Sequence, residues 1–383
     1  MSPKPKQRLK RATAICVLSI SLPQYGAQNS PLIDKSTCRQ VAGHCILKVF
    51  DVNKTAIDLH DLIAIFQDRA GLYWIGTWRG LHSYDEQRDQ WTSYYSDVLR
   101  RRSIGASLQV FDLPPLVHWI TQRSDNKIWA ASGLMEASSL TCFDGEKWHA
   151  VKDYLAPLGI KEFSAKASIR TMFLTRDDTL WIGFGDRVLT YDGHKWNLAL
   201  MTANPGAGLQ DSEGNIWLGS DRTIVRLDES GKQLETFDLV SYWARPRSER
   251  GKRSGKQPDP SPFGISQEPA RDMLSAYEDR KGRIWFGNAE GRIFMYDKRV
   301  KKWVIYNVLS EVNGIYQDNS GLMMFGTRAG LETLSESDNS WKVFKVSSMG
   351  FDNQFTGGVT AITADRSGRI WLGTRKGIVV LQP

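Results

Sequence analysis

Six histidines and four cysteines among 383 residues leave little material for a metal centre. Cys38, His44 and Cys45 lie close together but lack a fourth ligand, so no metal and no cofactor are expected. Cys38 and Cys45 are instead expected to close a short disulfide loop in an oxidising compartment, leaving Cys142 as a small hydrophobe within a strand. Beyond the leader, no stretch reaches the ~18 consecutive apolar residues needed to span a bilayer, so the mature chain has no integral membrane segment. With 41% hydrophobic and 24% charged residues, neither disorder nor a membrane bundle fits. What is abundant is glycine, at 33, and aromatic side chains, 14 of them tryptophan, a combination that favours many short strands joined by tight turns.

The formal charge of +8 is local. Residues 1–27 hold five basic residues and no acid, and residues 243–258 hold six basic residues against Glu249. These two segments account for +10, so the rest of the chain is near neutral at −2. A near-neutral body argues against nucleic acid as a partner. The basic start, the apolar run from Ala12 to Leu22 and the small residues Gly26-Ala27 read as a secretory signal cleaved after Ala27, which places the mature protein in the periplasm or outside the cell.

One pattern then recurs seven times. Five copies are nearly regular, opening at Asp68, Asp211, Asp279, Asp318 and Asp365 and reaching Trp74, Trp217, Trp285, Met324 and Trp371 six residues later. Two degenerate copies are centred on Trp129 and Trp181. Three residues before the central position stand Gly71, Gly214, Gly282, Gly321 and Gly368, replaced in the degenerate copies by Asn126 and Asp178. Asparagine and aspartate are the non-glycine types that best tolerate positive φ, so one left-handed turn is required seven times. Two residues after the central position, Gly76, Gly183, Gly219, Gly287, Gly326 and Gly373 recur, with Ala131 the exception. Something there packs too closely for a larger side chain.

Each hairpin is followed by two further strands, as in Gly80–Asp85 and Trp91–Tyr95, so each unit is a four-stranded antiparallel meander. Spacings of 55, 52, 36, 68, 39 and 47 residues between the central positions match blades of about 40 residues plus insertions. The expected fold is all-β, a seven-bladed β-propeller over residues 46–383, preceded by a lead-in at 28–45. The last repeat ends on its third strand, and Ile46–Phe50 reads as the missing fourth strand that closes the ring.

The string from Asp365 to Ile378 closely resembles the two-component regulator propeller repeat, and the resemblance extends over about residues 46–383. It implies an extracytoplasmic, sensor-type recognition module of bacterial type. In that family the propellers usually belong to hybrid histidine kinases, followed by an immunoglobulin-like domain, a membrane helix and a kinase. This sequence reaches Pro383 without them, so the expected signalling partner is another protein chain. A sialidase box places its aspartate five residues before the tryptophan rather than six, and the histidines show no paired placement of the kind a streptogramin-lyase-like elimination needs.

By analogy with the architecture, ligands sit where strand two turns into strand three and strand four leads into the next blade. That face should carry Trp78, Arg79, Arg187, Arg222, Arg328 and Arg375, together with His118, Trp119 and Arg170 from innermost strands. Arginine forks suit carboxylate and sulfate groups, and a tryptophan can stack on a sugar ring. The face is therefore expected to be electropositive and to bind an anionic glycan or small molecule without catalysis. A propeller polysaccharide lyase or hydrolase, and a structural interaction scaffold, are the alternatives. Insertions at about 96–116, 152–168, 238–272 and 346–358 all fall on this face, the third being basic, proline-rich and expected to be mobile.

Overall fold

The computed structural model describes residues 18–20, 38–95, 116–132, 139–150, 169–239, 272–351 and 357–382, apart from 56, 58 and 203. Seven antiparallel sheets are arranged as blades in a ring. Blade one comprises Leu62–Gln67, Tyr73–Thr77, Gly80–Asp85 and Gln90–Tyr95, innermost strand first. The innermost strands of blades two to seven are Val117–Gln122, Ile169–Leu174, Ala207–Gln210, Met273–Glu278, Val312–Gln317 and Val359–Ala364. The seven-bladed, four-stranded architecture expected from the repeat is the one observed. The first three insertions lie almost wholly outside the described residues, and the fourth holds a short 3-10 turn at Val346–Ser348.

The turn chemistry explains why the sequence repeats. All seven positions three residues before the centre have positive φ, including Asn126 at 64° and Asp178 at 66°. In blades one, four, five and seven the aspartate Oδ2 accepts the indole N–H six residues on, at 2.8 Å for Asp68–Trp74, Asp211–Trp217 and Asp279–Trp285 and 2.9 Å for Asp365–Trp371. Its Oδ1 accepts the backbone N–H four residues on, as from Leu72, Asn215, Arg283 and Arg369. One carboxylate thereby fixes both the turn and the rotamer of the largest core side chain. In blade two Arg123 occupies the aspartate position, and the buried Trp129 Nε1 has no hydrogen-bond partner among the described residues.

Neighbouring blades meet through the second recurrent glycine. A Cβ on Gly76 would run into Val117, on Gly219 into Met273, on Gly287 into Val312, on Gly326 into Val359 and on Gly373 into Leu62. Each of these contacts is the first residue of the next innermost strand, and all five are essentially inaccessible to solvent. A second tie lies on the opposite face. The N–H that follows the aspartate position bonds to the last side chain of the next innermost strand, as in Arg69 to Gln122, Arg176 to Gln210, Arg280 to Gln317 and Arg366 to Gln67.

The chain ends close the ring. His44–Asp51 pairs antiparallel with Gly377–Leu381, in the register Ile46 to Leu381 and Phe50 to Ile378, and so supplies the fourth strand of blade seven. The strand is longer than the expected Ile46–Phe50 by two residues at its start and one at its end. Gln40–Val41 adds a short fifth strand, and a disulfide joins Cys38 to Cys45 with their Cα atoms 5.7 Å apart. Phe50 packs edge-on against Tyr84 and Trp91 and stacks on Trp371, joining blade seven to blade one. A separate strand, Leu18–Ile20, lies on the outer edge of blade one against Trp91–Ser93.

Two stability outcomes follow. Gly76→Val forces a side chain against the backbone of Val117 and should cost about 3 kcal/mol or more, whereas Gly71→Ala, with no atom within 4 Å, should cost only about 1 kcal/mol from its positive φ. Urea midpoints compare them, and equal losses would refute the close-approach account. Deleting residues 28–52 leaves blade seven without its outer strand and should lower the melting temperature by many degrees; a truncated protein melting within a degree or two of the parent would refute closure by this strand.

Candidate functional site

The innermost strands begin with a shared irregularity. In six blades the pairing with the second strand skips a residue, between Leu62 and Ala64, Val117 and Trp119, Ile169 and Thr171, Met273 and Ser275, Val312 and Gly314, and Val359 and Ala361. The residue before each skip is buried against the preceding blade. The bulged residues are Ile63, His118, Arg170, Leu274, Asn313 and Thr360, all partly exposed, Leu274 the most so at 38%. On an innermost strand, exposure means exposure to the axis. Bulges at a barrel rim re-aim side chains, and here six of them surround one mouth of the channel. Blade four has Gly206 at this place, where a Cβ would strike the carbonyl of Met273.

The ring is chemically uneven. His118 donates from Nδ1 to the carbonyl of Leu116 at 2.9 Å, which leaves its other nitrogen as the acceptor of a neutral imidazole. Burial pushes its pKa below the ordinary 6.5, and the Leu116 bond opposes this only in part. Arg170 of blade three donates to Asp272 before blade five, and so bridges the position where blade four has only a glycine. Thr360 is committed to the carbonyls of Leu62 and Gly373. Asn313, Leu274 and Ile63 complete the circle with one amide and two apolar groups.

Trp119 belongs to the packing between blades. Its ring is half buried against the cluster of Ile169, Met172 and Ile182 between blades two and three, and lies 5.1 Å from the His118 ring. Ala64, Thr171, Ala207, Ser275, Gly314 and Ala361 at the equivalent positions pair directly with the recurrent glycines. Their small size answers blade-to-blade packing.

The turn residues share this face. Trp78 is 51% exposed beside the exposed Arg79, and Arg222 and Arg328 are exposed on their own blades. Arg187 lies 3.1 Å from Asp186 and Arg375 3.6 Å from Asp61. With Asp221 and Glu290 on the same turns, the described part of the face carries charges of both signs. Among the described residues no group of three or more histidine, cysteine, aspartate or glutamate side chains is placed to hold a metal ion. Cys142 is buried, and burial pushes its thiol up to about 11, so it is inert at neutral pH.

The sheet order and the axial mouth define a seven-bladed β-propeller. Residues 353–376 match the family model described as Two component regulator propeller, so the chain carries that repeat. No curated protein matches the sequence. Among solved structures, it is similar to the extracellular domain of BT3049 from B. thetaiotaomicron, described as a hybrid two component system, with a TM-score of 0.60 and 16% identity. It covers 84% of this chain and the match spans 40% of that one. The corresponding domain of BT4673 from the same organism gives 0.60 at 17% identity, over 88% of this chain and 40% of its own. The chain thus spans less than half the length of these two. A streptogramin B lyase gives 0.58 at 11% identity, over 88% of this chain and 96% of its own. At these identities the likeness is one of fold. Among the described residues no helix is long and apolar enough to cross a membrane.

The His118 environment has a direct consequence. Its imidazole should titrate with a midpoint below 6.5 and be neutral at pH 7, as followed by NMR of the ring protons; a midpoint above 7 would contradict the buried, Leu116-bonded geometry.

Proposed function

We propose that this protein is a non-catalytic, sensor-type recognition propeller that binds an anionic glycan or small anion on the bulged, insertion-bearing face and passes the signal to another protein chain. The observation that carries the reading is the clustering of the six bulged residues with Trp78, Arg79, Arg222 and Arg328 on one face. Exposed guanidinium groups beside an exposed indole offer forked hydrogen bonds to an acid and a flat surface for a ring. The secretory-like leader and the extracellular domains among the structural neighbours support a periplasmic or secreted site of action.

A second reading, elimination or hydrolysis on a polysaccharide, is favoured by one feature: a neutral His118 with an acceptor nitrogen at the mouth of a fold that a lyase also uses. Product analysis after incubation with acidic polysaccharides separates the two. Cleaved chains would overturn the non-catalytic reading, and unchanged chains with saturable binding would support it.

Binding to an acidic polysaccharide should weaken as salt rises. Arg79→Ala combined with Arg375→Ala should lower affinity about five- to tenfold, the sum of two exposed charge contacts. That loss should exceed the loss from neutralising the basic residues at 243–258. The reverse ranking would assign the attraction to the insertion, and no binding to any polyanion at low salt would reject an anionic ligand.

A further inference from the structure

Blade six breaks the repeat at the position that matters most. Asp318 opens its turn in the usual way, accepting Leu322 N–H at 2.8 Å and the Ser320 hydroxyl at 2.7 Å on Oδ1, but Met324 stands where the other blades have tryptophan. No indole N–H is available for Oδ2. That oxygen is met instead by Nε2 of His44, at 2.8 Å, from the closing strand of blade seven, 274 residues away in sequence. The other ring nitrogen, Nδ1, lies 2.8 Å from the backbone carbonyl of Gln382, directly after the last strand. Carbonyl and carboxylate oxygens can only accept. Both bonds form together only when both nitrogens carry protons, so the geometry calls for an imidazolium.

The seam crossed by this contact lacks the usual tie, as does the one between blades two and three, where the strand ends in Leu174 and the Ser124 N–H goes to Asp178 instead. Ala364 ends the innermost strand of blade seven where blades one, two, four and six end in glutamine, so Asn319 finds no side-chain acceptor there. Blade six is therefore held to blade seven through a histidine in place of an amide, and the hairpin presenting that histidine is fastened by the Cys38–Cys45 disulfide next to it. A group that titrates near neutrality replaces one that does not.

We propose that His44 is a proton-binding site that latches the closing seam of the propeller, holding the chain ends to blade six while it is doubly protonated and releasing one bond when it loses a proton. Among the described residues, His44 meets Asp318 of blade six, with Ser320 bonded to the same carboxylate and Tyr316 near that carboxylate; the Gly377–Leu381 strand contributes no titratable side chain, and the His44 hairpin contributes the exposed Arg39 before Gln40. Burial alone would raise the Asp318 carboxyl, but the bonds from His44, Ser320 and Leu322 outweigh it and hold it below the usual carboxylate value. The pH window follows from these signs. On the acid side the latch survives until Asp318 protonates, below its ordinary value of about 3.9. On the alkaline side it weakens as the imidazolium gives up its proton; the Asp318 carboxylate beside the ring favours the charged form, so this loss falls above the ordinary midpoint of about 6.5.

Two measurements on the full chain decide it. NMR of the histidine ring nitrogens at pH 7 should find His44 still mainly doubly protonated; a neutral ring at that pH would overturn the proposal without any variant. Melting temperatures compare the parent with His44→Gln at pH 6 and pH 9. The variant should melt several degrees lower at pH 6 and approach the parent at pH 9. A difference of equal size at both pH values would mean that His44 only fills space. Asp318→Asn should lose the same pH dependence if it folds.

Discussion

A buried carboxylate is the point on which this structure turns. Taking Asp211 or Asp365 out of water is unfavourable unless every lone pair is used, and here the nearby N–H groups, serine, arginine or lysine and one indole use them. Both carboxyls are held below the usual value in spite of burial, because these bonds favour the charged form. The carboxylate dictates the left-handed turn, the turn sets the second strand in register, and the bond to Nε1 fixes the tryptophan that fills the space between blades. Where the aspartate is missing, other side chains take over: Arg123 reaches Asp178 at 3.0 Å and lies over the Tyr191 ring.

The backbone requirements were legible in the sequence because they have few chemical solutions. Only glycine, asparagine and aspartate fit the left-handed position cheaply, so its seven occurrences could be read directly, as could the glycine that faces the next blade. Closure could be read from a count, since the last unit lacked a strand and an unassigned one preceded the first. The mouth of the channel was less legible. His118 and Arg170 could be placed on innermost strands, but a bulge depends on pairing between strands and leaves no residue signature, so Ile63, Leu274, Asn313 and Thr360 went unnoticed. Nor could the sequence show that one skipped residue turns the Trp119 ring into the seam between blades.

Long-range substitutions are the hardest to read. Met324 is visible as a departure from the pattern, but nothing local indicates that its missing hydrogen bond is supplied by His44. The same holds for Arg170 and Asp272, which pair across two blades. Such compensations involve residues that are neighbours only after the ring has formed, and a sequence presents them as unrelated irregularities.

The glycine contacts all point the same way around the axis, each blade receiving the leading side chain of the one that follows. The ring therefore has a rotational sense, and each contact sets how closely one blade follows the next. Adding or removing one whole blade would leave the other contacts intact, yet the last step, Gly373 onto Leu62, would no longer bring blade one back into place. Closure acts as a test of the accumulated angle, which no single blade can satisfy alone. The number seven is thus written into the wedge shape of each unit, and small errors in that wedge are felt on the far side of the molecule.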